Sequence, residues 1–471
     1  MHRRALILFS LVLFLAACDP AGITPPTPTS EPATPTAEAT ATSEPTATTE
    51  AALPTATTEA LEPTATTGAA LPTPTTAAGG PTATPGGAIS AAEQAEVAQV
   101  ESDTSDLRGL DPKTDVVEKF VPGAQMQANL TDELKQDYTP EESKRDTTTF
   151  WLLRLLKDPN TDLLKLQQDL LGEQVLGYYD HKKKELFVRS DDPQLSPLAR
   201  ETLAHEYTHS LQDQYYDLGK LRPDHMENDR GTAVLSLVEG DASISGIAYA
   251  KQYMTPADFQ SVLDESRNSS TKVIDAAPRY VRDSLLFPYD QSVEFITQLI
   301  QAQPGSFKGI DDAFRDPPQS SEQILHPEKY LDKPRDVPVA VTLPPLTSTL
   351  GTGWTHRYSD TMGEFDLGEI LKDNGVEEPT AAAAAAGWGG GRYSLYQNGD
   401  KALVYLGTVW DTAKDATEYN DALQKSFSSM KKDGQLWADD KRFFGLKHSG
   451  KNLTLVSGTD RAAVERALAA K

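Results

Sequence analysis

The stretch His205-Glu206-Tyr207-Thr208-His209 constrains this 471-residue chain more than any other. Residues four apart on a helix share a face, so a helical reading sets the two imidazoles side by side, one turn apart. The flanks predict that helix: Ser196 stands as N-cap, Pro197 at the first helical position and Gly219 just past the end. Between them Leu203, Tyr207, Leu211, Tyr215 and Leu218 recur at three- and four-residue intervals, which is one core-facing stripe. The histidines lie off that stripe. Two imidazoles so placed can reach one tetrahedral zinc ion, and Glu206 beside them can act on a water there.

Such a metal needs a third protein ligand. A second helix is predicted from about Arg230 to Tyr253, and it carries Glu239, 30 positions beyond His209. The helical neighbours of Glu239 at 235, 242, 243 and 246 are Leu, Ala, Ser and Gly, a mostly small surface that lets the two helices approach closely. An acid buried on that surface needs a partner, and a metal supplies one. Ahead of the motif, Val175–Asp180 and Glu185–Arg189 flank the polar turn Lys182-Lys183-Lys184 and predict a β-hairpin. Its edge, near Gly177 and Tyr178, is suited to pair with an extended peptide backbone.

His205-Glu206-x-x-His209 followed by Glu239 in a Glu-Gly-Asp-Ala run resembles the gluzincin branch of the zincin metallopeptidases. With the hairpin before it and Ser321–Tyr330 after it, the chain also resembles a group of predicted bacterial zinc-peptidase-like lipoproteins. The resemblance implies one Zn2+ per chain held by His205, His209 and Glu239, Glu206 as general base, and a peptide or protein as substrate. It departs from the family at Ser243, where thermolysin-like members carry an acid that steadies a histidine. Asp241 and Asp229 are the alternatives for that carboxylate. Amide hydrolysis also needs a donor for the developing oxyanion. Tyr289 reads either as that donor or as a wall residue, and His326 either as a donor or as a helix-start cap.

The N-terminus predicts an exported protein. Met1-His2-Arg3-Arg4 precedes an apolar run from Ala5 to Ala17, too short to span a bilayer, which reads as a signal peptide. Leu15-Ala16-Ala17-Cys18 resembles the bacterial lipoprotein processing box and implies a lipid-anchored, extracytoplasmic protein attached to the membrane through Cys18. Cys18 is the one cysteine in the sequence, so no intrachain disulfide is possible and the fold must hold by its core. From Asp19 to about Gly87 the chain is almost wholly Pro, Thr, Ala, Glu, Ser and Gly, a composition that cannot bury enough to fold and is expected to act as a disordered tether. A formal net charge of −25 argues against nucleic acid as a partner.

The fold class expected is α+β: a mainly helical, zincin-like catalytic domain with a small hairpin sheet over residues 91–376, then a ββαββα two-layer domain over 377–471. In the first, amphipathic helices broken at Pro159 are expected from the leucine spacing between Thr149 and Leu171, with further helices over Ser292–Gln301 and Gly363–Leu371. In the second, hairpins are expected about Asn398-Gly399 and between Arg442–His448 and Asn452–Ser457. Helices over Thr412–Lys431 and after a Thr459 cap complete it. The Ala- and Gly-rich passage between the domains reads as a hinge, or as a loop lining a cleft through Trp388 and Arg392. Two other functions fit the same residues: a zincin fold that binds or senses without cleaving, and a zinc amidase acting on cell-wall peptide.

Overall fold

The computed structural model describes residues 8–11, 90–189, 195–223, 226–268 and 271–470. Cys18 and the stretch expected to act as a tether lie outside the described residues, and of the first 17 residues only the strand β1 (Leu8–Leu11) is among them.

Helix α1 (Ala91–Arg108) starts on a capping box between Ser90 and Glu93 and stops at Gly109, whose left-handed φ of 70° turns the chain into β2 (Val117–Val121). Helices α2 (Gly123–Asp137), α3 (Pro140–Leu152) and α4 (Leu163–Gln174) follow. The leucine spacing predicted a helix running on toward Pro159, but α3 ends at Leu152. Arg154 takes a left-handed φ of 65°, and the amides of Leu155 and Leu156 both return to the Phe150 carbonyl. Leu153, Leu155 and Leu156 are buried within that turn, so their periodicity reports burial without helix.

The expected hairpin is present as β3 (Val175–Asp180) and β4 (Glu185–Arg189). In its small sheet, ordered β1-β3-β4-β2, β2 runs parallel to β4 and β1 antiparallel to β3. Next comes α5 (Pro197–Tyr216), capped by Ser196, whose side chain accepts the Ala199 amide. Its end is set by Asp217 at a left-handed φ of 57°, and Gly219, the expected terminator, sits inside the short α6 (Leu218–Leu221). Every residue from Glu201 to Asp213 is buried, so α5 is enclosed on all sides and not along one stripe. It is wrapped by α1, β3, α7 (Asn228–Tyr253) and α8 (Pro256–Asn268). A helix buried all round must find a partner for each polar side chain it carries.

Helices α9 (Lys272–Ala276), α10 (Arg279–Asp290), α11 (Ser292–Ala302) and α12 (Lys308–Arg315) lead to the short α13 (Ser321–Leu325), α14 (Pro327–Leu331) and α15 (Thr347–Leu350). Of these, α10 to α13 pack on α7. At Gly240 a Cβ would stand 2.7 Å from both Ser292 Cβ and Ile296 Cγ1, so only glycine admits α11 this close.

The C-terminal half is built on a seven-stranded antiparallel sheet, which gives the molecule its mixed α and β character. The order is β5 (Thr355–Thr361), β6 (Trp388–Asn398), β7 (Lys401–Trp410), β11 (Asn452–Gly458), β10 (Phe443–Ser449), β9 (Leu436–Ala438), β8 (Lys431–Asp433). Both expected hairpins are there, β6–β7 closing at Asn398↔Lys401 and β10–β11 at Ser449↔Asn452. Helices α16 (Glu364–Asp373), α17 (Glu378–Ala385), α18 (Ala413–Ser426) and α19 (Arg461–Ala469) cover it, α19 being capped by Asp460 in place of Thr459.

The passage read as a hinge is regular structure: the alanine run forms α17, and Trp388-Gly-Gly-Gly391 opens β6. A Cβ on Gly390 would lie 2.2 Å from the Val339 carbonyl, and one on Gly391 2.3 Å from that of Met362, so these glycines serve close backbone packing. The sheet begins at β5, ahead of residue 377. One apolar cluster joins Trp151, Leu152 and Leu163 to Trp388, Trp410, Phe427 and Leu455.

Candidate metal centre

On α5 the Nε2 atoms of His205 and His209 stand 3.2 Å apart. From α7, Glu239 Oε2 lies 3.4 Å from His205 Nε2 and 3.5 Å from His209 Nε2. Ligand atoms about 2.0–2.2 Å from one tetrahedral zinc are separated by roughly 3.3–3.6 Å, so this triangle has the dimensions such an ion requires. All three side chains are buried, and Glu239 Oε2 is enclosed without a well-formed hydrogen bond. Glu206, also buried, brings a carboxylate oxygen within 4.8 Å of ligating atoms of both histidines. It is thus close enough to work beside an ion, while Glu239 completes the tighter triangle.

Hydrogen bonding selects the nitrogen that His209 offers. Gln212, one turn further along α5, donates its Nε2 to the Val238 carbonyl (3.0 Å) and to Asp241 Oδ2 (2.9 Å). Both amide protons face acceptors, which fixes the amide orientation and leaves Oε1 toward His209 Nδ1 at 2.9 Å. Nδ1 must then carry the proton. The Nε2 lone pair is left pointing into the triangle, the arrangement a metal-ligating histidine needs.

Electrostatics favour positive charge at the same point. Burial opposes charge on His209, yet the Glu239 carboxylate overrides it and raises the histidine above its ordinary value. Burial likewise works against the Glu239 carboxylate, and His209 and His205 hold it well below the usual range. Glu201, one turn before His205, is pushed up to about 7 by burial; His205 pulls it down and Glu206 pushes it up. Burial depresses Arg222 to about 10 against the pull of Glu239, and among the described residues no carboxylate pairs with it.

The small-residue surface of α7 does what its sequence predicts. A Cβ at Gly246 would stand 2.5 Å from Glu201 Oε1, so α5 and α7 meet where side chains are least. On the other flank, β3 runs past the centre: a Cβ at Gly177 would lie 3.4 Å from Glu206 Cγ and 3.2 Å from Thr202 Cγ2. The outer edge of β3 carries an extended segment of the same chain, with β1 paired antiparallel at Leu8↔Tyr179, Phe9↔Tyr178 and Leu11↔Val175. An extended backbone therefore lies along the strand that passes Glu206.

The other sequence candidates divide. Asp241 enters the centre through Gln212, as described. Asp229 is elsewhere, at the start of α7, where its Oδ1 accepts the Ser321 amide at 3.1 Å. Tyr289 is buried near the end of α10, and its carbonyl accepts the Ser292 hydroxyl. His326 is engaged away from the triangle, with Nε2 2.9 Å from Glu364 Oε1, and that hydrogen bond raises it. It occupies the residue before α14, as a helix-start residue would, without a side-chain cap bond. A further group of acids, Glu322, Asp336 and Asp411, already holds a cation, the Lys329 ammonium at 2.5, 3.3 and 2.9 Å.

Sequence reasoning missed Gln212, Glu201 and Arg108. Gln212 and Glu201 stood within its reach, since 201, 205, 209 and 212 share one face of a helix. Arg108 reaches Asp241 across 133 positions of sequence, and no local pattern announces that.

Residues 352–468, the sheet-bearing half, match a family described as Domain of unknown function (DUF8575). No curated protein and no solved structure matches the chain.

Proposed function

We propose that this protein is a zinc peptidase, lipid-anchored outside the cytoplasm, that hydrolyses a peptide lying extended along β3. The observation that carries the reading is the convergence of His205, His209 and Glu239 on one point, at 3.2, 3.4 and 3.5 Å. A zinc ion held there supplies Lewis acidity. Glu206 takes a proton from water at the site and delivers it to the leaving nitrogen. The outer edge of β3, glycine-bare at residue 177 beside Glu206, is taken by β1 in the full chain, and removal of the expected leader that carries β1 would free its backbone hydrogen bonds to align an extended substrate. The oxyanion donor of this reading is Tyr289, which is buried on a helix that packs against α7.

The test is digestion of an unstructured peptide library by the zinc-loaded protein and its Glu206→Gln variant. Loss of a general base lowers turnover by about 10²–10⁴. Equal cleavage by both proteins would remove Glu206 from the chemistry, and no cleavage by either would leave a binding protein. The anchor rests on the Leu15–Cys18 box. Cys18→Ser is expected to move the protein from the membrane to the soluble fraction, and a variant that stays on the membrane would refute lipidation.

A further inference from the structure

Arg108, the last residue of α1, is buried completely and ends in two ion pairs: Nε donates to Asp241 Oδ1 at 2.8 Å and Nη2 to Asp311 Oδ1 at 2.7 Å. Its guanidinium lies over the Phe307 ring, 4.8 Å from the centroid, and the Tyr216 hydroxyl donates to the same Asp311 oxygen at 2.8 Å. Arginine has donors only and keeps its proton under all ordinary conditions. Asp241 Oδ1 is therefore held by Arg108, and Oδ2 is turned toward Gln212 as an acceptor. With the Val238 carbonyl it claims both Gln212 amide protons, and Oε1 is left for His209 Nδ1.

We propose that Arg108 is a positioning residue for the metal centre: through Asp241 and Gln212 it fixes the tautomer and ring orientation of His209. The inference rests on the reading of His209 as a ligand. Its direction follows from donor counting. Without Arg108, Asp241 loses the donor that orients it and the Gln212 amide can turn over. An NH2 group then faces Nδ1, and the proton moves to Nε2, the atom the metal needs. The first helix of the folded body thereby becomes part of the centre, although it carries no ligand.

Arg108→Met also breaks a buried ion pair and can cost folding, so Gln212→Met is the companion: it cuts the relay and leaves Arg108 on Asp241. Two readouts are taken on the full-length protein. One is zinc affinity by competition with a chromophoric chelator; the other is the His209 tautomer in the metal-free protein by imidazole ¹⁵N shifts, read at a pH above the raised His209 value, where the ring is neutral. The expected result is a 10- to 100-fold loss of zinc affinity in each single variant. The double variant should be no weaker than either, because both act on one path. The Nδ1–H tautomer of the wild type should give way to Nε2–H in both.

A Gln212→Met protein with unchanged affinity and unchanged tautomer would overturn the proposal, as would losses that multiply in the double variant. If the wild type binds no zinc yet its His209 tautomer shifts as described, the zinc reading falls and the relay stands. If zinc binds and neither variant alters it, the relay alone falls.

Discussion

Around α5 and α7 the buried side chains include a dense set of ionisable and polar groups: Glu201, His205, Glu206, His209, Gln212, Asp213, Glu239 and Asp241. In the sheet-bearing region the leading edge, β5 and α16, still buries Asp360, Glu364, Asp366 and Glu369, but from β6 onward the buried polar residues are Ser394, Thr408, Asn420, Ser426 and Ser457, all uncharged, and Trp388, Trp410, Tyr419 and Phe427 fill the space. Both halves exclude water, but they are held by different forces. In the first, each buried charge must be answered by a partner at a fixed angle, and the network that answers them also aims the ligands. In the second, stability follows apolar area and close packing, and nothing is aimed. Substitutions in the first half should thus change what the protein binds, and those in the second how long it stays folded.

The largest effect expected on that division comes from Trp410→Ala. This indole is 1 % exposed, packs tilted against Tyr419 with ring centroids 4.7 Å apart and donates to Thr408 Oγ1 at 2.9 Å. Its removal should cost about 3–5 kcal/mol in chemical denaturation. Zinc affinity of the folded protein should not move. A variant that loses zinc affinity in proportion to stability would show that the two halves share one energetic unit.

A smaller effect separates a charge that aims nothing from those that do. Burial pushes Asp229 up to about 7 from 3.8; the Ser321 hydrogen bonds oppose this and Asp366 adds to it. Between those values the folded chain holds a proton that the unfolded chain has lost. The contribution is full below pH 3.8 and declines as pH rises through 7, by up to about 1.4 kcal/mol per pH unit. Asp229→Asn should flatten that decline, read from denaturation midpoints between pH 5 and 8, and leave zinc affinity alone. An unchanged slope would mean that Asp229 is ionised in the folded protein.

What was legible in sequence follows the same line. His205, Glu206 and His209 are local, so helix periodicity placed them together, and Glu239 was recoverable because its neighbours on α7 are small. The hairpin at Asn398-Gly399 announced itself by turn chemistry, with Gly399 at a φ of 56°. β8, Lys431-Lys432-Asp433, gave no signal, since all three residues are exposed and no apolar alternation marks it. The relay from Arg108 was not legible either: it joins three helices, and only tertiary packing brings them together. The leucines after α3 misled because burial in a turn imitates the period of a helix.

His205, His209 and Glu239 meet at one point in space. Zinc titration of the metal-free protein, with bound metal counted per chain, tests it most directly. One zinc per chain is expected in the wild type and in Glu206→Gln, and none retained by His209→Ala through the same chelator challenge. A wild type that takes up no zinc, or a His209→Ala protein that keeps it, would contradict the assignment.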